Sequence, residues 1–149
     1  DGQPAQQEKF NRVQSLDFFA EFSDTELWEI VNAGDWLVCD VGDPIIQEGD
    51  EDPSFYVLVD GEVSVSKGDY EIVKLEAGDC FGEMGIAPGR RRTATINAES
   101  LVTVLKVRSS IIERASINCQ LRFQRKFLYT LIERLEYATE KIVDNVDDP

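Results

Sequence analysis

The sequence has no histidine. Without imidazole there is no Ser-His or Cys-His triad, no His-based zinc site and no His-ligated haem. Cysteine is scarce: Cys39, Cys80 and Cys119 are the only three, and they lie far apart. Their odd number and wide spacing fit neither a disulfide framework nor a zinc site, and iron–sulfur ligation lacks its donors. Buried thiols in a reducing compartment are expected, which places the chain in the cytoplasm. No apolar run approaches the roughly 20 residues a membrane helix requires, so no membrane insertion is expected. No basic-then-apolar leader opens the chain. A Gly-Lys-Ser/Thr phosphate loop is also missing, and with it the usual cradle for nucleotide hydrolysis. These absences argue against an enzyme, and no cofactor or metal is called for.

Positive charge is the other deficit. Lys and Arg number 15 against 29 Asp and Glu, a net charge of -14. The imbalance is concentrated early, where residues 1–60 hold 15 acids and only Lys9 and Arg12 as bases. Non-specific nucleic-acid affinity comes from cations that displace counterions, so this chain is a poor nucleic-acid binder. Little sequence follows the last helical pattern in which to build a helix-turn-helix. The acids read as a solvated face plus an acidic C-terminal tail. At 149 residues and 42% hydrophobic content, the chain suits a single domain, residues 1–149, with one buried core. It begins at Asp1 without Met, so a trimmed piece of a longer protein is the expectation.

What is present falls into three patterns. From about 9 to 35, apolar residues recur at helical spacing: Phe10 and Val13, then Phe18, Phe19 and Phe22, then Leu27, Ile30 and Val31. Two short helices are predicted, split near Leu16–Phe19, with Ser23-Asp24 as the N-cap of the second. From 36 to 108 the period becomes two. Val63 and Val65 alternate with serines, Tyr70 and Ile72 flank Glu71, and Leu101, Thr103, Leu105 and Val107 form a further set. Phe55 to Val59 is continuously apolar and reads as a strand buried on both faces. Gly42-Asp43-Pro44, Gly49-Asp50, Asp60-Gly61, Lys67-Gly68-Asp69 and Gly78-Asp79 punctuate these runs and read as hairpin signals. From 109 to 143 helical spacing returns: a short helix over Ser109 to Ala115, then a long one capped by Ser116 or Asn118. Along the long helix Leu121, Leu128, Leu131, Leu135, Ala138 and Ile142 form a heptad seam, with Gln124 its polar exception. The fold predicted is mainly β with flanking helices: an antiparallel, jelly-roll-like β-roll between N-terminal and C-terminal helices.

One segment breaks the strand pattern, Phe81-Gly82-Glu83-Met84-Gly85-Ile86-Ala87-Pro88-Gly89-Arg90-Arg91-Arg92-Thr93-Ala94-Thr95-Ile96. Its glycines permit tight turning and close backbone approach. Glu83 opens what reads as one helical turn, whose free N–H groups suit an anion. Arg92 follows nine residues later with a guanidinium able to grip phosphate through paired N–H bonds, and Ala94 lies between two hydroxyls. A carboxylate, exposed amides, a guanidinium and a hydroxyl suit a sugar phosphate. On the residues alone, a solvated basic loop on a β-turn is the favoured reading.

Phe-Gly-Glu-Met-Gly-Ile followed by Arg-Thr-Ala-Thr-Ile closely resembles the phosphate-binding cassette of cyclic-nucleotide-binding domains. That family includes catabolite activators, cAMP- and cGMP-dependent kinases and cyclic-nucleotide-regulated channels. The resemblance extends to Phe22-Ser23-Asp24, Gly42 to Ile46, Glu48-Gly49-Asp50, Phe55 to Leu58, Gly61-Glu62-Val63 and Gly78-Asp79, covering roughly residues 15–140. It implies a regulatory sensor for cAMP or cGMP with a short cassette helix and a C-terminal helical lid. By position, Glu83 would accept the ribose 2′-hydroxyl, and Gly82, Met84 and Gly85 would supply backbone contacts. Arg92 would neutralise the phosphate, with the Ala94 N–H and the Thr93 hydroxyl completing the cradle. Arg90 and Arg91 are read as solvated. Thr93 occurs in binders of either nucleotide, and cAMP is slightly favoured. Phe123, Phe127 and Leu131 are the candidates to cover the base. An attached effector domain is the implied partner. The alternative is the same fold kept as a ligand-free interaction module, dimerising through the C-terminal helix.

Overall fold

The computed structural model describes residues 3–82 and 89–147. They divide into two compact units, residues 1–115 and 116–149. The first unit opens with helix α1 (Gln3–Gln14), a 3₁₀ turn (Asp17–Phe19) and helix α2 (Asp24–Ala33). The expected split near Leu16–Phe19 is where the 3₁₀ turn forms. Ser23 is the N-cap of α2. Its Oγ accepts from Glu26 N at 3.2 Å, and its own N–H donates to Glu26 Oε1 at 2.8 Å. Two donors left free by the helix start are satisfied reciprocally, which sets where α2 begins. The two helices are joined by Phe10 stacked on Trp28 at 4.4 Å.

Eight strands follow among the described residues: β1 (Asp35–Cys39), β2 (Pro44–Ile46), β3 (Ser54–Asp60), β4 (Glu62–Lys67), β5 (Tyr70–Glu76), β6 (Cys80–Phe81), β7 (Thr95–Ala98) and β8 (Val102–Arg108). They form two antiparallel four-stranded sheets, ordered β1-β8-β3-β6 and β2-β7-β4-β5. Consecutive strands fall in opposite sheets, except β4 and β5. Only Lys67-Gly68-Asp69 therefore closes a true hairpin between paired neighbours. Asp60-Gly61, read as a hairpin turn, instead carries the chain from one sheet to the other. The reason is that β3 already pairs with β8 on one side and β6 on the other, leaving no free edge for β4. Gly78-Asp79 and Gly42-Asp43 make the same kind of crossing. This alternation is the wiring of a jelly roll.

The core lies between the sheets. Tyr56 and Leu58 of β3, Val102 and Val104 of β8 and Phe81 of β6 meet Ile46, Val63, Ile96 and Ala98 from the other sheet. The opposite face of β3 is buried too: Phe55 packs on Phe18, ring centroids 5.0 Å apart, within a cluster that includes Phe19 and Phe22. Burial of each such ring contributes about 1.5–3 kcal/mol, and it ties the N-terminal helices to the roll. Phe55 to Val59 is thus buried on both faces, as its unbroken apolar run requires. Two period-two sets behave differently. Leu101 lies exposed before β8 begins, and Tyr70 and Ile72 face outward on the edge strand β5. There the register shifts between Val65 and Ser66, so Ile72 has no opposite number on β4.

Helix α3 (Ser109–Arg114) ends the first unit, and α4 (Ile117–Asp147) forms the second. Ser116 caps α4, its Oγ accepting from Cys119 N at 3.2 Å. The helix continues past the expected end near Val143. Its heptad positions Leu121, Leu128, Leu135 and Ile142 are all exposed. No helix among the described residues is long and apolar enough to cross a membrane.

Candidate functional site

The cassette begins where β6 ends. Gly82 has φ +86°, and a Cβ there would stand 3.0 Å from the Ser54 carbonyl oxygen and 3.1 and 3.2 Å from the two Nη atoms of Arg92. Only a residue without a side chain lets the guanidinium pass so close to the backbone. Arg92 lies only 6% exposed. Its Nη1 donates to the Gly82 carbonyl at 2.8 Å, and its Nη2 donates to the Ser54 carbonyl. Asp52 Oδ2 stands 3.6 Å from Nη2. Arg92 Nε, also buried, has no hydrogen-bond partner among the described residues. A buried cation held in a fixed pose with one donor to spare is suited to an anionic group.

The cluster extends below the arginine. The Tyr56 hydroxyl donates to Asp52 Oδ2 at 2.6 Å, and Lys106 Nζ lies 3.8 Å from Asp52 Oδ1. The Tyr56 ring stacks on Phe81, 5.1 Å between centroids, and carries the Arg92 and Lys106 cations at 6.0 and 5.8 Å. Burial, and then the hydrogen bond to the Asp52 carboxylate, push the Tyr56 phenol pKa well above its ordinary value. The phenol therefore stays protonated. Arg92, Lys106 and Asp52 together carry one net positive charge, the complement of a monoanion.

The loop after β2 and the segment leading into β7 are laced together by backbone bonds. Gly49 N donates to the Arg92 carbonyl and Arg92 N to the Asp50 carbonyl, each at 2.8 Å. Arg91, read from the sequence as solvated, is exposed but engaged: it donates to the Gly49 carbonyl at 3.0 Å and pairs with Glu51 at 2.9 Å. Its charge serves the acidic loop opposite. Arg90 is exposed. Thr93 is exposed and Ala94 half-buried. The Thr93 carbonyl accepts from Lys67 Nζ at 3.0 Å.

Of the residues singled out in the sequence, Gly82, Arg92, Thr93 and Ala94 are thus placed on one edge of the roll. Gly82 plays a part not foreseen, its carbonyl orienting Arg92. Glu83, Met84 and Gly85, and the short cassette helix with them, lie outside the described residues. Phe123, Phe127 and Leu131 stand on α4, where the Phe123 and Phe127 rings are 5.8 Å apart. Asp52, Ser54, Tyr56, Lys67 and Lys106 were missed. Asp52 sits in the acidic run Asp50-Glu51-Asp52, which reads as ordinary solvated charge, and Lys67 and Lys106 look like ordinary strand lysines.

Comparison with known proteins bears on the family and the fold. The family model "Cyclic nucleotide-binding domain" matches residues 38–116. A cGMP-dependent protein kinase of Toxoplasma gondii is 34% identical over 111 residues, 72% of this chain and 11% of the kinase. A cAMP-dependent protein kinase regulatory subunit of Hypocrea atroviridis is 37% identical over 73 residues, 49% of this chain and 16% of that one. The chain thus spans only a small part of the curated relatives it matches. In structure, a cyclic nucleotide-binding domain from Methylobacillus flagellatus superposes with a TM-score of 0.81 over 97% of this chain and 85% of that one, at 20% identity, a likeness of fold. With the family model covering the β-roll and the arginine held at its edge, the chain belongs to the cyclic nucleotide-binding domain family.

Proposed function

We propose that this domain is a regulatory sensor that binds a cyclic nucleoside monophosphate, with cAMP slightly favoured over cGMP. Arg92 takes the cyclic phosphate, aided by the Ala94 N–H and the Thr93 hydroxyl, and Glu83 takes the ribose 2′-hydroxyl. Gly82, Met84 and Gly85 provide backbone contacts. The ligand is not transformed. It shifts an equilibrium between conformations by its differential affinity, and the signal leaves through the C-terminal helices to an attached effector in the cytoplasm. The observation that carries this reading is the buried Arg92 guanidinium, fixed by two carbonyls with its Nε donor unpartnered. Relatives named as cAMP- and cGMP-dependent kinases support both ligand choices. Calorimetric titration of cAMP and cGMP side by side, on the parent and on Arg92→Ala, tests the reading and the selectivity together. Parent-like binding by the variant would refute the site.

A second reading concerns α4. Leu121, Leu128, Leu135 and Ile142 repeat every seven residues and are 55–67% exposed. Such a seam suits pairing with a second copy of the chain, and the molar mass in solution by light scattering tests it.

A further inference from the structure

Lys67 stands at the tip of the β4–β5 hairpin, and its Nζ donates to the Thr93 carbonyl at 3.0 Å. Glu48 Oε1 lies 3.6 Å from the same Nζ, and Glu48 Oε2 accepts from Gly68 N at 3.5 Å. The Glu48 N–H in turn donates to Thr95 Oγ1 at 3.0 Å. Segment 93–95 is therefore held from outside at two points, one from the hairpin and one from the loop after β2.

The Thr93 carbonyl and the Ala94 N–H are two ends of one peptide group. A trans peptide is planar, and its C=O and N–H point in opposite directions. There are no cis peptides among the described residues. Drawing the carbonyl toward Lys67 therefore turns the Ala94 N–H the other way, off the hairpin side. An ammonium on a carbonyl oxygen also polarises the amide and makes its N–H a stronger donor.

We propose that Lys67 is a positioning residue for the bound anion: it orients and polarises the Thr93–Ala94 peptide, whose N–H meets the phosphate. The inference rests on the cyclic-nucleotide reading above. In this role Lys67 acts through the peptide group, and its side chain is 61% exposed, so its replacement leaves the core intact.

The test is calorimetric titration of cAMP on the parent, Lys67→Met and Lys67→Arg, at low salt and in about 0.5 M KCl, where charges are screened within a few ångströms. The Ala94 amide proton shift is followed by NMR in the same proteins. Lys67→Met is expected to weaken cAMP about three- to tenfold at both salt concentrations, the size of one exposed charge-assisted hydrogen bond. Its Ala94 amide proton moves upfield, and Lys67→Arg restores affinity and shift. Parent-like affinity in Lys67→Met, a loss that vanishes at high salt, or an unmoved Ala94 amide overturns the inference while leaving the Arg92 site standing. Failure of the parent to bind cAMP or cGMP overturns both.

Discussion

Replacing Gly82 by Ala separates two costs that usually arrive together. At φ +86° an L-residue is strained, and left-handed backbone costs about 1–2 kcal/mol. The added methyl would also stand 3.0 Å from the Ser54 carbonyl oxygen and 3.1–3.2 Å from the Arg92 Nη atoms. Arg92 cannot swing aside freely, because its two Nη groups are bonded to the Gly82 and Ser54 carbonyls. Moving it sacrifices part of those bonds, at about 1 kcal/mol. Gly42 supplies the matched control: its φ is +88°, with nothing within 4 Å of its notional Cβ. At roughly 3 °C per kcal/mol for a chain of this size, Gly42→Ala should lower Tm by roughly 3–6 °C. Gly82→Ala should lose about 3 °C more. Binding separates them further. Gly42→Ala should hold cAMP within about twofold of the parent. Gly82→Ala, with its guanidinium displaced by a few tenths of an ångström, should weaken it about tenfold, equivalent to about 1.4 kcal/mol. Scanning calorimetry and titration on the same preparations provide both numbers. If the two variants melt together and bind alike, Gly82 is not constrained by Arg92, and the account of how the arginine is posed fails.

Arg92→Ala removes a buried cation beside Asp52, and truncating such a pair costs about 2–5 kcal/mol; cAMP affinity should fall about 30-fold or more by titration. Tyr56→Phe addresses the raised phenol pKa. Below about pH 10 both folded and unfolded chains keep this proton; above it the unfolded chain releases it first, so the folded state loses stability as pH rises, by at most about 1.4 kcal/mol per unit. The parent should therefore weaken above about pH 10 in denaturant titrations more steeply than Tyr56→Phe, and equal slopes there would refute the Asp52–Tyr56 account. If α4 pairs with a second copy, light scattering should report a dimer for the parent and a monomer for Leu128→Glu. A monomeric parent removes that reading.

Much of this was legible in local pattern. The helix N-cap at Ser23 follows from Ser-Asp-Thr-Glu, because hydroxyl and carboxylate three residues apart satisfy each other's backbone donors. The double burial of β3 follows from Phe55 to Val59, because no alternation is left to expose one face. The cassette was legible through its resemblance to the family's Phe-Gly-Glu and Arg-Thr-Ala segments, because glycine-rich loops and arginine runs by themselves are common. Strand pairing was less so: Asp60-Gly61 carries the signature of a hairpin, and only the saturation of β3 by β6 and β8 makes it a crossing.

The sequence by itself determined the periodicities, the caps, the strand-dense middle and the candidate anion-binding residues, because each depends on neighbours within a few positions. Only the tertiary structure decided which turns join sheets and how Arg92 is held. It also decided that Asp52, Tyr56 and Lys106 share its charge and that Lys67 reaches Thr93. The Lys67–Thr93, Arg92–Asp52 and Lys106–Asp52 contacts join residues 26, 40 and 54 positions apart, and nothing in their local surroundings distinguishes those charges from solvated surface ones. They exist because two sheets, wired alternately, bring the loop after β2, the β4–β5 hairpin and the edge of β7 to one end of the roll.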